Sequence, residues 1–280
     1  PKFYANGVDL TDSNAVRQTI KSNAIDAGKG IFNWSTSVEN SNKELKAGYV
    51  LENIEIFKDK TLQVVLDTSA GSNDFSVGLG DYTTTSASKD AAIDGTSVAN
   101  GRVGAGNVQY IDARSNKSSG ILISGSNSYT GTTTIGQDTR IVLNSGSALG
   151  TDTSYTSQLI STLGGILDMT QMTASQIATV GSVNISGNSS INLYRTLHIK
   201  GDGTSKYTGG GTITGNNALS GQGLIQLSGS GTLTVSGTNN NAQAEVLIQD
   251  NTILVMANVS ALGNTANAQI ITVETGGLLQ

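Results

Sequence analysis

Four aspartates, Asp138, Asp168, Asp202 and Asp250, and one histidine, His198, are the side chains whose chemistry could make this chain a catalyst. Acid–base cleavage of a glycosidic bond needs two or three carboxylates close together, with Arg, Lys or His beside them. Each of these aspartates instead stands alone next to a turn, where Asp satisfies local backbone N–H groups. His198 lies in Ile191–Lys200, where Ile191, Leu193, Leu197 and Ile199 share one face and Asn192, Tyr194, Thr196, His198 and Lys200 the other, so the imidazole is expected on the surface. A nucleophilic triad or a His-based metal site needs partners that the sequence does not place beside it, and neither G-x-S-x-G nor Gly-Asp-Ser-Gly occurs. Gly201-Asp202-Gly203-Thr204 and Gly209-Gly210-Gly211 lack the Lys-Thr ending of a phosphate-binding loop and the repeated Asp spacing of a calcium-binding roll, so they read as turns. No catalytic residue, metal or cofactor is therefore expected. Tyr129 and Trp34 read as packing residues, one stacking at a repeat position and the other set against the first layer of the core.

Composition constrains the elements that hold these residues. The chain has 280 residues, 35 Gly, one Pro, no Cys and 5% aromatics, so a core must be built from Ile, Leu and Val, and the surface from Ser, Thr, Asn and Gly. The net charge of −5 and the scattering of the sixteen basic residues argue against nucleic acid or an anionic membrane as partner, since either selects a clustered Lys/Arg face. The absence of Cys excludes a disulfide scaffold and suits a protein that crosses an oxidising periplasm unfolded. No run reaches the roughly 18 apolar residues of a membrane span. Pro1-Lys2-Phe3 and the ending Gly276-Gly277-Leu278-Leu279-Gln280, inside a repeat, lead us to expect a mature or excised fragment.

The segment GILISGSNSYTGTTTIGQDTRIVLNSGSALG at Gly120–Gly150 returns as Gly231–Gly263, with Gly120, Leu122, Gly125, Asn127, Gln137, Asp138 and Ile141 matched at an offset of 111 or 112. IEIFKDKTLQVVL turns at Lys58-Asp59-Lys60 and resembles TIGQDTRIVL at 134–143 and LIQDNTILV at 247–255, each with an Asp turn two or three residues before the next Ile or Leu. From Gly48 onward the apolar segments are mostly three to five residues long and separated by Ser-Gly, Gly-Asn, Asp-Gly or Asn-Asn. Strands so short are stable only if each pairs with its equivalent one coil above and below, which is a parallel β-helix. With coils of roughly 20 to 25 residues, the 112-residue offset predicts about five coils. Ile121, Ile123, Ile141, Leu143, Val183, Ile185, Leu233, Val235, Ile253 and Val255 are expected to point into one elongated core.

Two regions fall outside this period. Residues 1–47 are expected to form an N-terminal cap with a short helix over 9–25, N-capped by Thr11 or Ser13 and spaced by Val16 and Ile20. Residues 71–106, which lack alternation, are expected to project from the β-helix of residues 48–280 as an insertion. Within it Asp74, Phe75, Asp81, Tyr82, Lys89, Asp90 and Arg102 concentrate charge and aromatic surface and are the candidate binding protrusion.

Gly120-Ile-Leu-Ile-Ser-Gly-Ser-Asn-Ser-Tyr129-Thr-Gly131-Thr-Thr-Thr-Ile135 resembles the autotransporter-associated β-strand repeat, G-x-L-x-x-x-G-x-N-x-Y-x-G-x-T-x-I. At 231–263 the pattern is degenerate, with Asn240, Asn241 and Ala242 interrupting the Tyr-Thr-Gly part. The chain thus resembles the passenger domain of a bacterial autotransporter (type V secretion). The resemblance implies a right-handed parallel β-helix, secreted to the outer surface of a Gram-negative bacterium and anchored through a translocator barrel absent from this chain. It implies a non-enzymatic adhesin or autoaggregation module whose partner is a host-cell surface, an extracellular-matrix ligand or another copy of itself. The competing expectation is a carbohydrate-active β-helix, a polysaccharide lyase or tailspike-like glycosidase, which two or more carboxylates lining one groove would favour.

Overall fold

Period-two alternation carried through very short segments produces the architecture. A computed structural model of the chain describes residues 3–5, 8–9, 30–34, 51–67, 72–83, 102–201, 208–238, 241–258, 260–263 and 269–280. The strands stack into a parallel β-solenoid of about eight turns, and the described residues include no helix. A first side holds nine parallel strands: Thr61–Leu66, Asn107–Asp112, Thr132–Ile135, Gln158–Ser161, Ser182–Ile185, Gly210–Ile213, Thr232–Val235, Ile253–Met256 and Leu278–Leu279. A second side holds seven, from Asp74–Phe75 to Asn241–Ala242. The third side is split between a sheet containing Leu51–Ile56 and Gly78–Asp81 and one running through Ile177–Val180, Thr196–Lys200, Leu224–Ser228, Glu245–Ile248 and Ile271–Val273.

Register places like on like. Along the first side Leu62, Val108, Thr133, Leu159, Val183, Gly211, Leu233, Leu254 and Leu279 form one inward column. The apolar residues of all three sides merge into one continuous core, in which each fully buried Ile or Leu contributes about 1.5–3 kcal/mol.

Eight of the ten expected core residues are fully buried, but Ile253 and Val255 are only half-buried and Leu254 takes the inward place. The run Ile253-Leu254-Val255-Met256 has no polar residue to mark its phase, and pairing to Leu233 and Val235 decides it. The expected five-coil repeat is also corrected. From Val108 onward coils run from 21 residues, Leu233 to Leu254, to 28, Val183 to Gly211, whereas the coil from Leu62 to Val108 takes 46. Starting at Thr133, four coils reach Leu233 and five reach Leu254, so an offset of 112 matches neither. Ile141 accordingly lies on the second side and its sequence match Ile253 on the first. What the two segments share is the turn. Asp59, Asp138 and Asp250 all adopt left-handed φ values, 58°, 48° and 49°, inside turns closed by Lys60 N–H to Phe57 O, Thr139 N–H to Gly136 O and Thr252 N–H to Gln249 O.

The N-terminal edge is blunted by antiparallel strands. Phe3–Ala5 pairs with Thr61–Leu66 and in turn with Val8–Asp9, while Gly30–Trp34 pairs with Leu51–Ile56. The helix expected over 9–25 lies outside the described residues, apart from Asp9 in its strand.

Candidate functional site

The described part of the segment expected to project, residues 72–83 and 102–106, belongs to a coil of the rod. Asp74–Phe75 pairs in parallel with Ile121–Ile123, and Gly78–Asp81 with Leu51–Ile56. Phe75 is buried against Tyr110 with ring centroids 6.3 Å apart, and Tyr82 is buried edge-on to Phe57 at 5.0 Å, so both rings pack inside the rod. The Ser124 hydroxyl donates to Asp74 Oδ1. Asp81 accepts from Gly106 N–H at 2.7 Å, Thr130 N–H at 3.1 Å and Thr130 Oγ1 at 2.5 Å, which commits both carboxylate oxygens to joining coils. Arg102 lies 4.9 Å above the Phe57 ring. Beside it an antiparallel bridge joins Tyr82 to Gly104. Lys89 and Asp90 lie outside the described residues. The sequence missed this because Gly-Leu-Gly-Asp at 78–81 offers one apolar side chain to a strand that tertiary pairing nevertheless forms.

The isolated carboxylates divide in two. Asp138 and Asp250 are exposed turn residues, as their spacing predicts; Asp202 lies outside the described residues. Asp168 is fully buried, pairs with the Arg140 guanidinium and accepts from Thr170 N–H at 2.8 Å. Burial pushes its pKa up, but the hydrogen bonds from Thr170 and the charge of Arg140 outweigh this and hold it below the usual carboxylate value.

His198 corrects the expectation of a surface residue. Its face is the outer one, yet it is only 8% exposed because the hairpin Gly150–Tyr155 lies over it. Its Nε2 is 2.7 Å from Ser228 Oγ and its Nδ1 3.7 Å from Asp152 Oδ1. The order Asp–His–Ser is that of a nucleophilic hydrolase. Here, however, the Asp152 side chain is 60% exposed, too far for a hydrogen bond to Nδ1, and held instead by Thr179 Oγ1 at 2.9 Å. Ser228 ends a regular strand, not a strained elbow. With Lys200 Nζ donating to the Asp152 carbonyl at 2.9 Å, the group pins the hairpin to the third side. Among the described residues no three His, Cys, Asp or Glu side chains gather as a metal cluster.

The residues of the repeat-like motif join coils. Asn127 Oδ1 accepts from Leu79 N–H at 2.9 Å and its Nδ2 donates to Ala148 O at 2.6 Å, bridging the coil before to the coil after. Tyr129 is fully buried with its hydroxyl 2.6 Å from Thr133 Oγ1, and burial pushes its pKa up to about 12.

Described residues line several lateral depressions. One of about 200 Å³ has Glu55 and Asp81 in its wall; another, of about 290 Å³, lies beside Arg140. A third, of about 500 Å³, is an open groove where the second side turns into the third, with Tyr194, Arg195, Gln222, Gln243 and Glu245 in its walls. Gly223 also lines it, and a Cβ there would lie 2.5 Å from Arg195 O and 2.8 Å from Leu193 Cγ, so glycine lets this rung pack closely on the one before. Along the first side, Gln63, Gln109, Thr134, Ile160, Asn184, Thr212, Thr234 and Val255 form an outward column in register. Comparison with protein-family models, with curated proteins and with solved structures finds no match to this chain.

Proposed function

We propose that the chain is part of a rod displayed on the surface of a Gram-negative bacterium, as an autotransporter passenger is, and that it acts without catalysis as an adhesin or self-association module. Its partner is a host-cell surface, an extracellular-matrix ligand or another copy of itself. The observation that carries the reading is the outward column of the first side, which presents an uncharged amide or a β-branched side chain on every rung from Gln63 to Val255. Neighbours within it brace one another, Gln63 Nε2 donating to Gln109 Oε1 at 2.9 Å and Thr212 Oγ1 to Asn184 Oδ1 at 3.3 Å. Such a face offers many weak contacts at once to a flat partner, and their joint strength comes from number.

The carbohydrate-active reading draws support from Glu55 and Asp81, two carboxylates in one depression. Against it, both oxygens of Asp81 are already engaged by donors that join coils. The test is display of the chain on a non-clumping Gram-negative host. Display-dependent clumping or attachment to host cells supports the adhesive reading, and its absence in both assays overturns it. Release of reducing ends from a polysaccharide, lost on Glu55→Gln, would establish the enzyme.

A further inference from the structure

We infer that the groove where the second side turns into the third binds a neutral, β-linked glycan chain laid parallel to the rod axis. This rests on the adhesive reading and assigns it a ligand. The groove crosses five successive rungs, represented by Ala174, Thr196, Leu224, Glu245 and Ile270. Thr196 pairs with Leu224 and Leu224 with Glu245, while Val246 N–H donates to Ile270 O one rung further on. At about 4.8 Å per rung it is roughly 19 Å long, open along its length, and unsuited to enclosing a small molecule.

Its chemistry alternates as a sugar's does. Tyr194, 44% exposed, and Ile270, 57% exposed, offer an aromatic face and an aliphatic one to the C–H faces of pyranose rings. Between them Gln222 Nε2 donates to Gln243 Oε1 at 2.5 Å, which fixes two planar amides on adjacent rungs. Their remaining amide atoms, Gln222 Oε1 and Gln243 Nε2, carry no bond among the described residues and suit sugar hydroxyls. Arg195 is braced against its own wall, Nε to Met172 O at 2.9 Å and Nη1 to Tyr194 O at 2.7 Å. Glu245 offsets its charge, so the groove selects no net charge.

An extended peptide fits less well, because the backbone of the walls is already spent between rungs. Leu224 N–H donates to Arg195 O, Gln243 N–H to Gly221 O and Glu245 N–H to Gly223 O, leaving no strand edge for a peptide to join. A β-1,4-linked chain, by contrast, advances per sugar by nearly one rung height, so successive rings meet the groups of successive rungs.

The purified chain is titrated with chitohexaose and cellohexaose, with an α-linked dextran oligomer and heparin as controls. We expect saturable binding of a neutral β-linked hexasaccharide, weakened at least tenfold by Tyr194→Ala and by Gln222→Ala. It should be unchanged by Leu163→Ala, an exposed residue at another corner, and all three variants should melt like the parent. No binding of either hexasaccharide, binding of heparin alone, or binding indifferent to both groove variants overturns the proposal. So does retention of an extended peptide from a library in the same groove in place of the sugars. Cells that display the chain and still clump or attach when hexasaccharide binding has failed overturn the glycan and leave the adhesive reading standing. Cells that do neither overturn that reading itself.

Discussion

His198 Nε2 and Ser228 Oγ lie 2.7 Å apart on adjacent strands of the third side, beneath a hairpin that hides the imidazole from water. Burial pushes the His198 pKa down; Asp152 opposes this, Lys200 adds to it, and Asp250 opposes it more weakly. The unfolded chain takes up this proton near pH 6.5 and the folded one only at lower pH, so between the two the unfolded state holds more protons. Stability contributed by neutral His198 is therefore complete above about pH 6.5 and falls on acidification, by at most about 1.4 kcal/mol per pH unit, until the folded form is protonated too. Melting at pH 7.5 and pH 5 should show this drop in the parent and a smaller one in His198→Gln. Equal drops in both would place the effect elsewhere.

Gly211 has φ of 131° and a Cβ there would stand 2.0 Å from Val183 O. Gly211→Ala must move the backbone of two rungs, at a cost of roughly 1–3 kcal/mol for the dihedral alone and more for the collision. The midpoint of urea unfolding should drop accordingly or the variant should fail to fold, whereas an unchanged midpoint would contradict the packing described.

Two buried hydroxyls in the stack should respond in opposite ways. Ser161 Oγ, in register with Ile185, has no hydrogen-bond partner, so Ser161→Ala should be neutral or stabilising by up to about 1 kcal/mol. Thr133 Oγ1 contacts Tyr129 Oη at 2.6 Å and donates to Thr156 Oγ1 at 2.8 Å, so Thr133→Val takes this partner from the buried Tyr129 hydroxyl, while Thr156 keeps its bond to Gly131 O, and should cost about 1–3 kcal/mol. Denaturant midpoints of the two variants, moving in the same direction, would refute the assignment.

Removing residues 84–101 and joining Thr83 to Arg102 should leave the fold intact, since the Tyr82–Gly104 bridge and the Arg102–Phe57 contact already close the neck. Circular dichroism and melting within a few degrees of the parent are expected. Attachment or clumping of cells displaying the shortened chain then reports whether residues 84–101 take part in recognition or the flanks suffice.

Much of the fold was legible because Ile, Leu and Val recur at period two and because three Asp turns interrupt them in the same way. What escaped notice was phase. Ile253-Leu254-Val255-Met256 is apolar throughout, and the Asp138 turn leads from the first side to the second whereas the Asp250 turn leads from the third to the first, so matching them in sequence aligned different sides. The groove escaped for a related reason. Tyr194, Gln222 and Gln243 come together only by stacking, and the coils that separate them differ in length. The signal was present as a polar or aromatic residue two positions before each of the third-side strands that begin at Thr196, Leu224 and Glu245, readable once those strands are placed. His198 was assigned to the correct face, but nothing local announces that a hairpin begun near residue 150 lies over it.

Coils of 21 and of 28 residues stand at the same rung height, because hydrogen bonding fixes the pitch while nothing fixes the circumference. Extra chain is therefore absorbed sideways, as in the hairpin Gly150–Tyr155, without lifting the turns above or below. A protein built like this resembles a threaded rod on which fittings are exchanged at the corners. Its outline can be remodelled by insertion and deletion while its interior is inherited unchanged, so the surface is free to diversify quickly on a core that does not.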